Sequence, residues 1–286
     1  MTNEMNGKTV LVTGANAGIG KAACVALAKM GAHVVMVARD KARGEAALAE
    51  VKSASGSSQV DLLLADLSSQ QAVRQLADEF KRKYARLDVL LNNAGAITSE
   101  RKMTVDGLEF QFALNHLGYF LLTQLLLDVL KTSAPARIVN VSSGAHMGGR
   151  INFDDLQMAQ RYNSFGAYAQ SKLANVLFTY ELARRLHDAK VTVNALHPGG
   201  VRTNFGKDGD TRGVMRVVFD LFLGIAGISP EQGADTPVYL ASSPDVAGVT
   251  GKYFEKRKAI ASSKASYDED VAKRLWQMSE QLTGLA

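Results

Sequence analysis

Cysteine is almost absent from this chain, and that alone excludes a class of proteins. One residue in 286, Cys24, leaves no partner for an intrachain disulfide, so a stapled secreted scaffold is ruled out and a reducing compartment fits. Cys24 falls in an Ala-rich helical pattern, where a thiol serves as a small core side chain. Long apolar runs are missing too. Gln124 and Asp128 interrupt Leu117 to Leu130, and Arg216 and Asp220 interrupt Val214 to Ile228, so no transmembrane segment is expected. Met1 to Gly7 is short and polar, unlike a signal peptide. No repeat, low-complexity tract or linker divides the chain, and a single domain is expected. The net charge is only +5, and the clusters Lys81-Arg82-Lys83 and Lys256-Arg257-Lys258 have no aromatic interleaving. They read as solvated faces, not as a nucleic-acid surface. A soluble, cytoplasmic protein is the expectation.

What is present suffices for a sizeable core, with 47% hydrophobic and 21% charged residues. The organising stretch is Lys8 to Lys21, KTVLVTGANAGIGK. Thr9 to Val12 is rich in β-branched residues and suits a strand buried on both faces. Gly14, Gly18 and Gly20 follow, then an Ala-rich helix from Lys21 to Met30. Strand, glycine turn and helix together set a helix N-terminus against a pyrophosphate. Gly14 permits the tight turn, and Gly18 and Gly20 bring no Cβ against the phosphate or the helix–strand contact.

Strand patterns recur at Ala32–Ala38, Val60–Ala65, Leu87–Leu91, Ala136–Val141 and Val191–Leu196. Helical patterns alternate with them at Lys41–Ser53, Gln70–Tyr84, Leu108–Leu130 and Ala167–His187. Right-handed crossovers then give an α/β fold, a doubly wound parallel sheet of Rossmann type in three α/β/α layers. Past Pro198 the pattern loosens. A helix over Glu231–Ala241, a short strand at Gly251–Phe254 and a helix over Asp268–Leu282 are expected there.

Tyr168 and Lys172 stand four apart in a predicted helix and so share a face. A free phenol titrates near 10, and a nearby ammonium lowers that value, which makes a tuned general acid/base. A surface tyrosine beside a solvated lysine has the same spacing. Ser142 ends the fifth strand, where ligands of open α/β sheets collect; its hydroxyl suits either a substrate oxygen or a turn in Ser142-Ser143-Gly144. Asn115, inside a predicted helix, has low helix propensity and reads as a buried polar group that binds water or bends the helix, or as solvent-facing. His116 and His197 have no suitably spaced further ligand, so no metal site is expected. His146 is a candidate for lining a substrate cleft.

Taken in order, Gly14/Gly18/Gly20, Asn92-Asn93-Ala94-Gly95, Asn115, Ser142, Tyr168-x-x-x-Lys172 and Pro198-Gly199 resemble the short-chain dehydrogenase/reductases over nearly the whole chain. FALNHLGYFLLTQLLL, IVNVSSGAH, AYAQSKLANVLFTYELARRL, VTVNALHPGGVRT and LASSPDVAGVTGKYF look like segments of the retinol dehydrogenase-like branch. So does the long gap between Ser142 and Tyr168, which holds Ile151 to Leu156. Members of that branch often carry a membrane anchor before the first strand, which Met1 to Gly7 does not supply.

The resemblance implies hydride transfer between a nicotinamide and a carbonyl or alcohol. Tyr168 would exchange the proton and Lys172 would lower its pKa and bind the nicotinamide ribose. Ser142 would orient the oxygen, and Asn115 would hold a relay water. It also implies cofactor contacts from Asn16 and Ile19 in the turn, from Asp66, Leu67, Asn92, Ala94 and Gly95 on the adenine side, and from Pro198, Gly199, Val201 and Thr203 near the nicotinamide.

The choice of cofactor rests on the residue after the second strand. A carboxylate there binds ribose hydroxyls, whereas a cation favours a 2′-phosphate. Ala38 ends the strand and Arg39 follows with a guanidinium suited to phosphate, so NADP(H) is expected. Asp40 reads as an N-cap for the next helix, or else as the acidic ribose ligand. The apolar segment Val214 to Ile228, within a stretch of about 200–230, reads as a substrate lid, an oligomer contact or a membrane-surface helix. A lid would favour a lipophilic substrate, retinal/retinol-like or another aldehyde or ketone. A protochlorophyllide-reductase-like double-bond reductase shares the same turn and Tyr/Lys pair, and a non-catalytic NADP(H)-binding protein would need the turn alone.

Overall fold

Parallel strands need both faces covered, and these strands carry the apolar side chains for it. The computed structural model describes residues 4–200 and 227–286. In it β1 (Thr9–Thr13), β2 (His33–Ala38), β3 (Val60–Leu64), β4 (Val89–Asn92), β5 (Ala136–Val141), β6 (Val191–Leu196) and β7 (Lys252–Glu255) pair in parallel. Their order across the sheet is β3-β2-β1-β4-β5-β6-β7, and an antiparallel β8 (Lys258–Ile260) closes the edge. The direction of winding reverses between β1 and β4, and the crevice of such a sheet opens at the strand C-termini there.

Helices cover both faces. On one side α1 (Gly18–Lys29), α2 (Lys41–Ser55) and α6 (Pro230–Ser242) enclose a core containing Cys24, Leu27, Met36, Val51, Leu91 and Val238. On the other, α3 (Gln70–Lys83), α4 (Phe110–Thr132) and α5 (Ser164–Arg185) pack through Phe80, Leu90, Phe120, Ile138 and Phe178. Complete burial pushes the Cys24 thiol far above its usual range, so it is an inert core residue. The C-terminal helix α7 (Glu269–Thr283) lies across α5. Its Trp276 meets Phe120 edge-on at 5.0 Å and Phe178 at 5.8 Å, beneath the Arg185 guanidinium at 4.1 Å.

Four details depart from the sequence expectation. Helix α4 contains a π turn, Ala113–Leu117, centred on Asn115. It is also long and apolar enough to cross a membrane, but 67% of the relevant window is buried under the sheet, as in a core helix. Helix α5 starts at Ser164, three residues early, because Asn163 caps it by accepting from the Gly166 N–H at 2.7 Å. Strand β8 has no counterpart in the sequence pattern. Its hairpin turns through Lys256 (φ 47°) and Arg257 (φ 63°), with no Gly or Asn to announce it. Arg257 is held there by Asp235, by a bond from its own N–H to the Thr236 hydroxyl at 3.1 Å, and by the Tyr239 ring.

Trp276 joins α7 to α4 and α5 through its indole. We predict that Trp276→Ala destabilises the protein by about 3–5 kcal/mol, read as a fall in the denaturant midpoint.

Candidate active site

The glycine turn is closed by the neighbouring strand. Gly14 (φ 65°) and Gly18 (φ 53°) adopt left-handed conformations. A Cβ on Gly14 would lie 2.8 Å from Ala94 Cα, and one on Gly20 would lie 2.3 Å from the Gly14 carbonyl oxygen. The Thr13 hydroxyl accepts from the Asn93 and Ala94 N–H groups at 2.8 and 3.0 Å. The Asn93 amide in turn donates to the Thr13 carbonyl at 2.9 Å. These bonds tie the ends of β1 and β4 together at the point where the winding reverses. Asn16 and Ile19 lie partly buried in the turn and the start of α1.

Thr13 and Asn93 brace the glycine turn, and neither is singled out by the sequence pattern. Asn92, expected to contact cofactor, points elsewhere. Its Nδ2 donates to Thr123 and Asn140 at 3.0 and 2.9 Å inside the core, because alternate residues of a strand face opposite sides. It is Asn93, one position on, that faces the glycine turn.

At the end of β3, Asp66 accepts from the Ser68 N–H and hydroxyl at 3.0 and 2.7 Å, and Leu67 is buried. At the end of β2, Arg39 is exposed. Asp40 caps α2, accepting from the Arg43 N–H at 2.8 Å, so its carboxylate is already engaged.

The catalytic candidates converge where α5 crosses the end of β5. The Lys172 Nζ donates to the Val141 carbonyl at 3.1 Å, and the Ser142 hydroxyl donates to the Lys172 carbonyl at 2.8 Å. Ser142 is therefore a 2% exposed structural link between strand and helix. The serine that hydrogen-bonds the Tyr168 hydroxyl is Ser143. The strand alternation again explains the difference: Ser142 continues β5 inward toward α5, and Ser143, the next residue, turns toward the cleft. The doublet Ser142-Ser143 was the available signal, and only packing chooses between its members.

The π turn brings Asn115 into the same place. Its Oδ1 accepts from the Ala96 N–H at 2.8 Å, while Nδ2 donates to the Ala96 carbonyl at 2.9 Å and the Ser171 hydroxyl at 3.0 Å. The Asn115 carbonyl, released from the helical ladder, accepts from Asn175 Nδ2 at 2.8 Å. Gly95 fits between these groups: a Cβ there would stand 3.2 Å from Asn115 Oδ1 and 3.4 Å from Lys172 Nζ. The Tyr119 hydroxyl donates to the Ala94 carbonyl at 2.7 Å and seals the floor.

Burial governs the electrostatics here. The Lys172 ammonium is pushed down to about 7 by desolvation, and the Tyr168 phenol is pushed up to about 12 by the same cause, with the Ser143 hydroxyl opposing. The expected acidification of Tyr168 by Lys172 is overturned in this state. The ammonium is itself desolvated, and its Nζ lies 5.7 Å from the Tyr168 ring centroid.

His146 does not line the cleft. It is 1% exposed and bonded to the Ser143 carbonyl and the Ser263 N–H. His116 is enclosed by Phe112, Asn175 and Ser279, and burial lowers it to about 4. His197 accepts from the Gly199 N–H at 3.3 Å. Among the described residues no three His, Cys, Asp or Glu side chains gather to hold a metal. Pro198 and Gly199 (φ 91°) follow the C-terminal end of β6. Val201, Thr203 and nearly all of the Val214–Ile228 segment lie outside the described residues.

A separate recess of about 610 Å³ opens at the opposite end of the sheet, lined by Thr9, His33, Asp61, Lys83 and Tyr84. Its His33 and Tyr84 both bond Asp61, at 2.8 and 2.9 Å, so these groups satisfy one another. The reactive groups and the glycine turn are all at the other end.

With a glycine turn at the winding reversal, and a half-buried tyrosine and serine beside a buried lysine across the crevice, the chain is similar to known proteins. The family model described as short chain dehydrogenase matches residues 8–212. The chain belongs to the short-chain dehydrogenase/reductases. This dehydrogenase is 46% identical to human retinol dehydrogenase 14, over 98% of this chain and 88% of that protein. It is 45% identical to human retinol dehydrogenase 13, over 98% and 85%. Among solved structures it resembles an uncharacterized protein from Mycobacterium paratuberculosis, with TM-score 0.79, 37% identity and coverage of 98% and 94%. It also resembles the Pseudomonas aeruginosa RhlG/NADP active-site complex, with TM-score 0.71, 28% identity and coverage of 89% and 96%. The family and the retinol dehydrogenase-like branch expected from the motifs are those found, and the dehydrogenase is an oxidoreductase acting on a CH–OH group.

Gly20→Ala, which sets a methyl against the Gly14 carbonyl, is predicted to weaken nicotinamide dinucleotide binding by about tenfold or more, measured by fluorescence titration. A second prediction concerns Lys172. Its folded value of about 7 lies below the ordinary 10.5, so between these values the unfolded chain binds the extra proton. Stability of the cofactor-free enzyme therefore rises with pH through this range. The rise is cleanest between 7 and 9, below the ordinary value of 9.0 for Cys24, whose burial acts in the opposite sense. Lys172→Met flattens the slope, as denaturant titrations at several pH values will show.

Proposed function

We propose that this enzyme is an NADP(H)-dependent reductase and dehydrogenase of lipophilic aldehydes, ketones and their alcohols. One observation carries the reading: Ser143, Tyr168 and Lys172 converge beside a glycine cradle whose Cβ positions must stay empty. That cradle fits a dinucleotide pyrophosphate at the N-terminus of α1. Gly14, Gly18 and Gly20 would hold the phosphates, and Lys172 would hold the nicotinamide ribose. When bound, the nicotinamide supplies or accepts the hydride.

The protein handles the proton. Tyr168 gives its hydroxyl proton to a carbonyl oxygen in reduction and takes one from the alcohol in oxidation. With the phenol raised to about 12, protonated tyrosine dominates at neutral pH, which suits the acid role of reduction. The Ser143 hydroxyl orients the substrate oxygen and stabilises charge developing on it. A protonated Lys172 stabilises the phenolate left behind. Asn115 keeps the π turn and the Gly95 segment in register with Lys172.

Arg39 supports the phosphorylated cofactor. It follows β2 and is exposed, and the adjacent carboxylate, Asp40, is engaged as a helix cap. Two of the solved relatives are described as complexes with NADP. The names of the retinol dehydrogenase relatives support a lipophilic substrate. The single buried thiol suits a cytoplasmic setting.

Tyr168→Phe is expected to lower turnover by about 10²–10⁴-fold with cofactor affinity unchanged. The assay follows NADPH loss with carbonyls graded from small to long-chain, and undiminished turnover in the variant would defeat the reading. Arg39→Asp is expected to shift preference from NADPH toward NADH, measured as the ratio of kcat/KM values.

A further inference from the structure

The Ser143 carbonyl gathers an unusual number of donors. It accepts from the His146 N–H at 3.1 Å and from His146 Nδ1 at 2.7 Å, and the Tyr253 hydroxyl stands 3.4 Å away. On the far side of the imidazole, Nε2 lies 3.2 Å from the Ser263 N–H. A backbone N–H can only donate, so Nε2 must be the acceptor and the ring proton must sit on Nδ1. Both neighbours thus select one neutral tautomer. The ring is 1% exposed and packs at a tilt of 46° against Tyr253, with centroids 4.6 Å apart. Tyr253 is anchored in β7, in register with Ala195 of β6.

This clamp lies one bond away from the reaction. The residue whose carbonyl it holds, Ser143, presents the hydroxyl bonded to Tyr168. Ser143 itself caps the short 3₁₀ turn Gly144–Gly148 that follows β5, in extended backbone (φ −160°, ψ 156°), with its hydroxyl accepting from the Ala145 N–H at 3.2 Å. Without a fixed carbonyl, rotation about the Ser143 backbone would carry its hydroxyl off the phenol.

We propose that His146 is a positioning residue: its Nδ1–H tautomer, selected by Ser263, locks the Ser143 backbone so that the serine hydroxyl meets Tyr168 and the substrate oxygen. The inference rests on the proposed roles of Ser143 and Tyr168. A misplacement of about 1 Å at a reacting group can lower rate about 100-fold. The expected result is therefore that His146→Ala lowers kcat by about 10- to 100-fold, with dinucleotide Kd unchanged. His146→Asn, which keeps a donor near the Nδ1 position, restores much of the loss.

The decisive measurement is a double-mutant cycle. On a Ser143→Ala background, His146→Ala causes no further loss of kcat if it acts through the serine hydroxyl. An equal loss on both backgrounds would mean a merely structural role and would overturn the proposal, as would wild-type kcat in His146→Ala. Should His146→Ala fail to fold, Ser263→Pro replaces it in the cycle. Proline tolerates the Ser263 φ of −63° and removes the N–H that selects the tautomer, together with a hydroxyl that has no hydrogen-bond partner among the described residues. Wild-type kcat in folded Ser263→Pro overturns the proposal, and a loss that vanishes on the Ser143→Ala background supports it. The two readings fail separately. Wild-type turnover in Ser143→Ala defeats the assigned site and this inference with it, whereas an impaired Ser143→Ala beside an unaffected His146→Ala defeats the inference alone.

Discussion

Two hydrogen bonds running in opposite directions join the end of β5 to the middle of α5. Lys172 Nζ donates to the Val141 carbonyl, and the Ser142 hydroxyl donates to the Lys172 carbonyl. Both are buried, and together they set the depth and rotation of the helix against the strand. Every reactive group depends on that registration. Lys172 is oriented by it directly, Tyr168 is carried one turn earlier on the same helix, and Ser143 is turned outward because Ser142 is held inward. The same burial that makes these bonds strong also penalises the ammonium. The site therefore keeps a lysine near the midpoint of its titration at neutral pH.

Beneath this contact runs a chain of polar side chains through the core. Asn92 donates to Thr123 and Asn140, Asn140 to Thr179, Thr179 to the Asn175 carbonyl, and Asn175 to the Asn115 carbonyl. Each bond is worth about 1 kcal/mol net. The Asn92 Oδ1 finds no partner among the described residues, and an unpaired buried acceptor costs about 1–3 kcal/mol. Five bonds against one orphaned acceptor leave the network stabilising by about 2–4 kcal/mol. Its consequence is orientation: it connects the floor of β4 and β5 to the π turn, so Asn115 and Gly95 arrive at Lys172 together. His116, bonded to Asn175 and Ser279, extends the same chain to α7, so the C-terminal helix braces the site from behind.

Much of this architecture is legible in the amino-acid order. Alternating strand and helix periods announce the sheet, because buried parallel strands need unbroken apolar runs and crossovers need amphipathic helices. The spacing of Gly14, Gly18 and Gly20 announces the cradle, since only glycine tolerates the turn's conformations and close contacts. The Tyr168–Lys172 spacing announces a shared helical face. Less legible are choices between adjacent residues. Ser142 and Ser143 are chemically identical, and Asn92 and Asn93 are too. Which member faces the cleft depends on strand phase at the point where pairing stops, and composition does not encode that phase. The β7–β8 turn at Lys256-Arg257 is hidden for another reason. Its left-handed residues are stabilised by Asp235, Thr236 and Tyr239, distant in sequence.

Architecture, cradle and the pairing of a phenol with an amine are already present in the order of residues, because each follows from local periodicity or from the geometry of single residue types. Which serine meets the tyrosine, which asparagine braces the glycine turn, and how far burial moves the lysine and tyrosine from their ordinary titration emerge with folding alone. Those outcomes are properties of packing. A side chain's direction at a strand end, and its distance from water, are set by elements that meet only after the chain has folded.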